Sequence, residues 1–302
     1  MAHPLKVLLH LGVRVLYSFL IVLREGFEIA LVLAIVLGYL VRTGNREHFR
    51  EIWLGAVVAA AICIAAAVIL ELTSASLSGA AQEAFEGFTM LFAVCVLTWM
   101  VFWMRRQAIS IGRDLRQQVD LALEKGSLTA LTALAFVAVL REGLETALLL
   151  FAGASAGRGD SASTFLGGAL AGGIVAALLG YLVYRGSHLI PLRQFFTVTG
   201  IVVLVIAAGL VSTGIAELQE SGVIGNLGSR PWDTDAMLSQ TTTLGKFLHT
   251  LIGYDSAPTW GQIVLYWSYL LGGLSAFVFG IGLPGTSRPA ADRSGSTIQA
   301  RN

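Results

Sequence analysis

The sequence predicts an all-α polytopic membrane protein of seven transmembrane helices, arranged as a 3+3 inverted repeat plus one extra helix, N-out and C-in. Three observations lead there. Of the 302 residues, 55% are hydrophobic and only 13% charged, against about 25% charged in soluble domains. Apolar runs of spanning length follow one another along the chain. A ten-residue stretch also occurs nearly twice, "REGFEIALVL" at 24–33 and "REGLETALLL" at 141–150, placing an arginine and two glutamates inside each of two apolar runs.

Crossing roughly 30 Å of hydrocarbon takes about 20 apolar residues, and runs of that length occur at 15–41, 51–72, 83–104, 128–152, 163–184, 196–216 and 261–283. The first is a single span, because division at the motif leaves 15–23 and 29–41, both too short to cross. It runs through Arg24 with no small-residue cleavage pattern, so it reads as retained and not as a leader. Between the third and fourth runs, Ile111, Leu115 and Val119 recur at i, i+4 among charges, which predicts an amphipathic helix lying on the inner membrane surface. Gly168 and Gly172 give the fifth span a close-packing face. Residues 1–283 form a single transmembrane domain on this reading: repeat one at about 15–104, repeat two at about 128–216, and the seventh helix at about 261–283. Residues 284–302, rich in Ser, Arg, Gly and Ala, read as a disordered cytoplasmic tail. Cys63 and Cys95 both fall within spans and read as buried free thiols, with no disulfide framework or thiolate metal cluster.

Orientation follows from the lysines and arginines, which are retained on the cytoplasmic side. N-out topology places thirteen of them inside, including Arg42, Arg46, Arg50, Arg113 and Arg116, against five outside: Lys6, Arg14, Arg158, Arg230 and Lys246. The same topology gathers acids outside. Glu71, Glu83, Glu86, Glu217, Glu220 and Asp233 form a candidate outer vestibule, whose negative field would concentrate cations. Glu83/Glu86 and Glu217/Glu220 are i, i+3 pairs that each occupy one helix face. Ordinary solvated loop charges are the alternative reading of these acids.

Three spans separate the starts of the two motif copies, and an odd number inverts the second copy relative to the first, the repeat pattern of many secondary transporters. Each copy sits near the middle of its span, so the two would meet near the bilayer midplane. Within a copy, Glu25 and Glu28, or Glu142 and Glu145, share one helical face. Arg24 and Arg141 stand four residues before Glu28 and Glu145 and can pair with them. Gly26 and Gly143 each cost about 1 kcal/mol relative to alanine in a helix; close approach of the first and fourth spans would offset that.

Four carboxylates and two guanidinium groups sum to a formal charge of −2, in a setting where each unpaired ion costs several kcal/mol. A cation relieves the excess. Oxygen ligands without nearby Cys, Met or His favour a hard ion, such as ferric iron, manganese, magnesium or calcium, over copper or zinc. His3, His10, His48, His188 and His249 fall at ends or loops, and none is assigned a ligand role. An interhelical salt-bridge lock and a proton relay are the two readings of the motif that need no metal. No nucleotide-binding loop, bis-histidine haem arrangement, His-Glu-x-x-His motif or nucleophilic serine constellation is present in the spans, so no enzyme activity and no nucleic-acid partner are expected.

Arg-Glu-Gly-x-Glu in the first and fourth spans resembles the FTR-type iron permease family, with its EfeU-like bacterial branch. "QEAFEGFTMLFAV" at 82–94, "GIAELQESG" at 214–222, "PWDTDAMLS" at 231–239 and "HTLIGYDSAPT" at 249–259 are similar to segments of that branch, so the likeness covers nearly all of 15–283. The resemblance implies a ferric iron permease of the bacterial cytoplasmic membrane in which Glu25, Glu28, Glu142 and Glu145 are required for uptake. Iron would be the cargo, with no permanently bound cofactor. Implied partners are a periplasmic iron-binding protein and a haem peroxidase-like protein. Carriage of another hard or heavy divalent cation, manganese or lead, is the alternative within transport, and a regulatory membrane protein the alternative outside it.

Overall fold

A computed structural model of the chain describes residues 4–107, 111–124, 128–156, 162–186, 192–239 and 242–279; the expected tail at 284–302 lies outside them. Regular structure among the described residues is helical throughout: α1 Pro4–Arg42, α2 Phe49–Ser76, α3 Ala80–Gln107, α4 Ile111–Glu124, α5 Leu128–Ala156, α6 Ala162–Tyr184, α7 Leu192–Glu220, α8 Thr243–Ile252 and α9 Trp260–Phe279. Each of the seven expected spans corresponds to one of these helices, with α4 and α8 added between them. Five of them, α2, α3, α6, α7 and α9, are long and apolar enough to cross a membrane. The remaining two long helices, α1 and α5, carry the motif charges within their apolar runs. Residues such as Val57, Ile64, Leu170 and Leu178 are exposed on helix flanks, as an acyl-chain environment allows.

The side-chain contacts fix the relative directions of the helices. Tyr17 donates to the carbonyl of Leu149, while Val36 and Leu40 share a core with Leu131 and Ala135, so α1 and α5 run antiparallel. α6 runs parallel to α1: a Cβ on Gly172 would stand 2.6 Å from the Phe19 oxygen, and Gly180 meets Ala30. α2 and α5 run parallel in the same way, with Gly55 against Thr132 and Cys63 against Gly143. α3 and α7 are antiparallel, Gly87 meeting Gly214 at one end and Val101 approaching Gly200 toward the other. The principal pairings are thus α1 with α6, α2 with α5, α3 with α7, and α1 with α5. Exchanging α1, α2, α3 for α5, α6, α7 maps this set of pairings onto itself.

Three expectations are corrected. The amphipathic segment does form α4, but Leu115, Val119 and Ala122 are buried against Val36, Leu40, Leu131 and Ala135, and Asp120 accepts a hydrogen bond from Tyr39 at 2.6 Å. Its apolar face docks on the ends of α1 and α5, which offer a closer-packed partner than lipid. Of the cysteines, Cys63 is buried and Cys95 exposed. The motif glycines do not bring α1 and α5 together: Gly26 faces Ala176 of α6, and Gly143 faces Cys63 of α2. One residue of helix turns the chain by about 100°, so a glycine following a glutamate that faces the partner motif presents a different neighbour.

Short α8 is bounded by Thr242, whose hydroxyl accepts from the Gly245 amide, and by Gly253 at φ 68°, whose amide caps the His249 carbonyl. Gly253 lies against the backbone of Gly209, within α7. His249 contacts the carbonyl of Tyr254 just beyond the helix, 2.8 Å, and ties the segment to α5 through the carbonyl of Ala156, 3.1 Å.

Candidate metal site

The antiparallel crossing of α1 and α5 brings the two motif copies together between two apolar cores. One is built around Tyr17, Met90 and Leu149, the other around Leu40, Val119 and Leu131. Glu25, Glu28, Glu142, Glu145 and Arg24 are all buried. Both i, i+4 pairs that the spacing predicts are present, Arg24 with Glu28 at 3.2 Å and Arg141 with Glu145 at 3.2 Å. Each arginine also reaches the glutamate directly after it, Arg24 with Glu25 at 2.6 Å and Arg141 with Glu142 at 3.7 Å.

Across the helix pair, one carboxylate oxygen from each of Glu25, Glu142 and Glu145 lies within 4.8 Å of the others. Glu28 stands outside that trio. All four carboxylates keep at least one buried oxygen without a hydrogen-bond partner: Oε2 of Glu25, Glu142 and Glu145, and both oxygens of Glu28, whose contact with Arg24 is close but poorly aligned. A buried polar atom left unpaired costs about 1–3 kcal/mol, more when charged, a cost that either protons or a metal cation would relieve.

A third helix contributes what the motif alone does not show. Met100 of α3 places its sulfur 3.4 Å from Arg24 Nη1, and Arg141 lies over the rings of Trp103, 4.0 Å, and Trp99, 5.5 Å. The signal available in the sequence was the i, i+4 tryptophan pair in "WMVFWM" at 99–104.

The acids of the expected vestibule are not equivalent. Glu71, Glu220 and Asp233 are exposed and Glu83 is half-buried, whereas Glu86 and Glu217 are buried. Glu86 accepts from Ser74 at 2.9 Å and Gln82 at 2.8 Å, joining the end of α2 to the start of α3. Asp233 accepts from the Asp235 amide at 2.8 Å. Glu83 and Glu86 lie at the same end of the α3/α7 pair as Glu217 and Glu220, since Gly87 packs on Gly214 and Leu218. That end is roughly 20 Å of helix rise from Met100 and hence from Arg24.

The described helices form an apolar bundle of the kind a multi-pass membrane protein has, with acids from two antiparallel helices facing one another in its interior, and the family match places it among the membrane permeases. The chain belongs to the Iron permease FTR1 family, whose sequence model matches residues 15–283. Among curated relatives, "Ferrous iron permease EfeU" of Yersinia pestis is 36% identical over 284 residues, covering 93% of this chain and 96% of the relative. The protein of that name from Escherichia coli O6:H1 is 35% identical over 278 residues, covering 91% and 98%, and the one from Shigella sonnei gives the same figures. No solved structure matches the chain significantly. The relatives carry "ferrous" in their name, whereas the sequence led to an expectation of ferric ion.

Proposed function

We propose that this iron permease imports its ion across the bacterial cytoplasmic membrane by alternating access of two inverted three-helix halves, α1–α3 and α5–α7, with α9 as the seventh span and the N-terminus outside. The observation that carries the reading is the facing trio Glu25, Glu142 and Glu145 with its unpartnered oxygens. Glu28 adjoins the trio as a fourth acid. Arg24 and Arg141 hold the carboxylates while the site is empty and withdraw as the ion arrives. A salt-bridge lock would instead consume those oxygens, since buried ion pairs hold together well only when their remaining lone pairs are satisfied.

The ion gathers first at the outer acids, of which Glu71, Glu83, Glu220 and Asp233 are accessible and act through their field. Buried Glu86 and Glu217 belong to the vestibule wall. An all-oxygen donor set suits ferric and ferrous iron alike and admits manganese; its excess of acid over base favours the more highly charged ferric ion. Iron is cargo here, not a resident cofactor, and reaches the vestibule from a periplasmic iron-binding protein and a haem peroxidase-like partner.

Reconstituted vesicles given ferric citrate, or ferrous ion under anaerobic conditions, test the reading. Wild-type protein should load iron in one of the two arms, and Glu25→Gln should reduce loading to the level of empty vesicles. Undiminished loading by Glu25→Gln would remove the buried trio from the mechanism. Manganese that competes as well as iron would replace the cargo.

A further inference from the structure

A cavity of about 630 Å³ adjoins the acid cluster on the side of α4. Its head is formed by Glu28, Arg141 and Glu142, and its far end by Leu115 and Gln118 of α4. Glu142 belongs both to this cavity and to the trio with Glu25 and Glu145, so one carboxylate is common to the two. Small residues of α5, Ala133 and Ala138 among them, leave the room.

At about 30 Å³ per water in the liquid, this volume has room for on the order of twenty waters, with the polar groups of Glu28, Arg141 and Glu142 at its head and Gln118 at its far end. An ion released from carboxylates must recover six or so oxygen ligands, and shedding or regaining that shell is the slow part of moving a small multivalent ion. The cavity offers that space directly beside the ligands.

The two motif arginines differ in their relation to it. Arg24, 2% exposed, is enclosed by Glu25, Glu28 and Met100 and does not line the cavity. Arg141 lines it, keeps 27% of its side chain exposed, and has partners on two sides: Glu145 and Glu142 on one, Trp103 and Trp99 on the other. Its Nη2 is buried without a hydrogen-bond partner. A guanidinium that gives up its carboxylates to an arriving ion keeps the attraction of the aromatic face beneath it.

We propose that this cavity is the release chamber in which the ion regains water after leaving the trio, and that Arg141, seated on Trp103, is its gate. While the ion is bound, the guanidinium rests on the Trp103 ring; as the ion steps into the chamber, it swings to Glu142 and Glu145 and blocks return. This rests on the transport reading above. Ala133→Phe, which fills the chamber more than two turns of helix away from Glu142, and Trp103→Leu are the test, each compared with wild type for equilibrium binding of radio-iron by purified protein and for initial vesicle uptake.

Ala133→Phe should bind iron as wild type does but lose uptake by about an order of magnitude. Trp103→Leu should lower the maximal rate while leaving half-saturation nearly unchanged, and Trp103→Phe should restore most of it. Should Ala133→Phe fail to fold, Ala133→Cys modified after folding with a small and then a bulky thiol reagent gives the same contrast, with wild type treated alike to account for Cys63 and Cys95. Full uptake with the chamber filled overturns the proposal. Absence of iron binding by wild type would sink the transport reading instead, so the two failures are distinguishable.

Discussion

Arg24 and Arg141 stand at equivalent places in the two motif copies, but only Arg24 is sealed. Replacing it leaves Glu25 and Glu28 with no cation in contact, and breaking a buried pair of this kind costs about 3–5 kcal/mol. Arg141 is partly exposed, is supported by the Trp103 ring and has one of its acids, Glu142, lining the chamber, so its loss should cost less. Thermal unfolding in detergent should therefore rank Arg24→Gln well below Arg141→Gln, and equal losses would deny the asymmetry. The acid pairs and their i, i+4 arginines were legible because helix spacing alone dictates them. Met100, Trp99 and Trp103 were not, since no local pattern states which face of a third helix meets the motif. Glu86 shows the same limit. Its i, i+3 spacing with Glu83 suggested a shared ion-gathering face, whereas Ser74 and Gln82 bind it inside the fold. Glu86→Gln should loosen the α2–α3 junction and lower thermal stability. Glu71→Gln with Glu83→Gln should leave stability intact and raise the iron concentration for half-maximal uptake at low salt, an effect that fades as screening increases.

At the scale of helices, several crossings of the bundle are made by direct backbone contact at glycines. α6 lies on α1 through Gly168, Gly172 and Gly180, and α2 on α5 through Gly55; small residues let membrane helices approach where apolar burial gives no preference between protein and lipid. Gly172 and Gly167 provide a matched comparison. A Cβ at Gly172 would stand 2.6 Å from the Phe19 oxygen and 3.0 Å from the Leu23 nitrogen, whereas at Gly167 it would meet nothing within 4 Å. Gly172→Ala should lower stability by about 1–3 kcal/mol through overpacking, while Gly167→Ala should be neutral or gain up to about 1 kcal/mol of helix propensity. Two unfolding curves that coincide would show that α1 and α6 do not touch there. The spanning helices and the glycine face of α6 could be read from length and spacing. α8 could not be read as a span, being ten residues long, though Thr242 before an apolar periodic run and Gly253 after it are the start and stop signals of a short helix. What the run cannot reveal is that its end reaches Gly209, well inside α7.

For the whole molecule, the pairings of α1–α3 with α5–α7 survive exchange of the two halves, as a two-fold relation between inverted repeats requires. The antiparallel contact of α1 with α5 places the motif copies at one depth, which the sequence could suggest only by counting spans. Direction relative to the membrane is a separate matter, carried by the basic residues: Arg42, Arg46, Arg50, Arg113 and Arg116 lie at the end where α4 docks, and the acidic 214–239 segment lies at the opposite end. Loops rich in arginine stay on the cytoplasmic side, so the release chamber beside α4 would open inward and the acidic mouth outward, the order an importer needs. Met237 is 90% exposed and Thr43 is exposed in the turn after α1, which makes the pair suitable for labelling. In intact cells a membrane-impermeant thiol reagent should modify Met237→Cys at once and Thr43→Cys only after permeabilisation, each above the background from Cys63 and Cys95 in wild type. The reverse pattern would turn the protein over, placing the chamber outside and making the same geometry an exporter's.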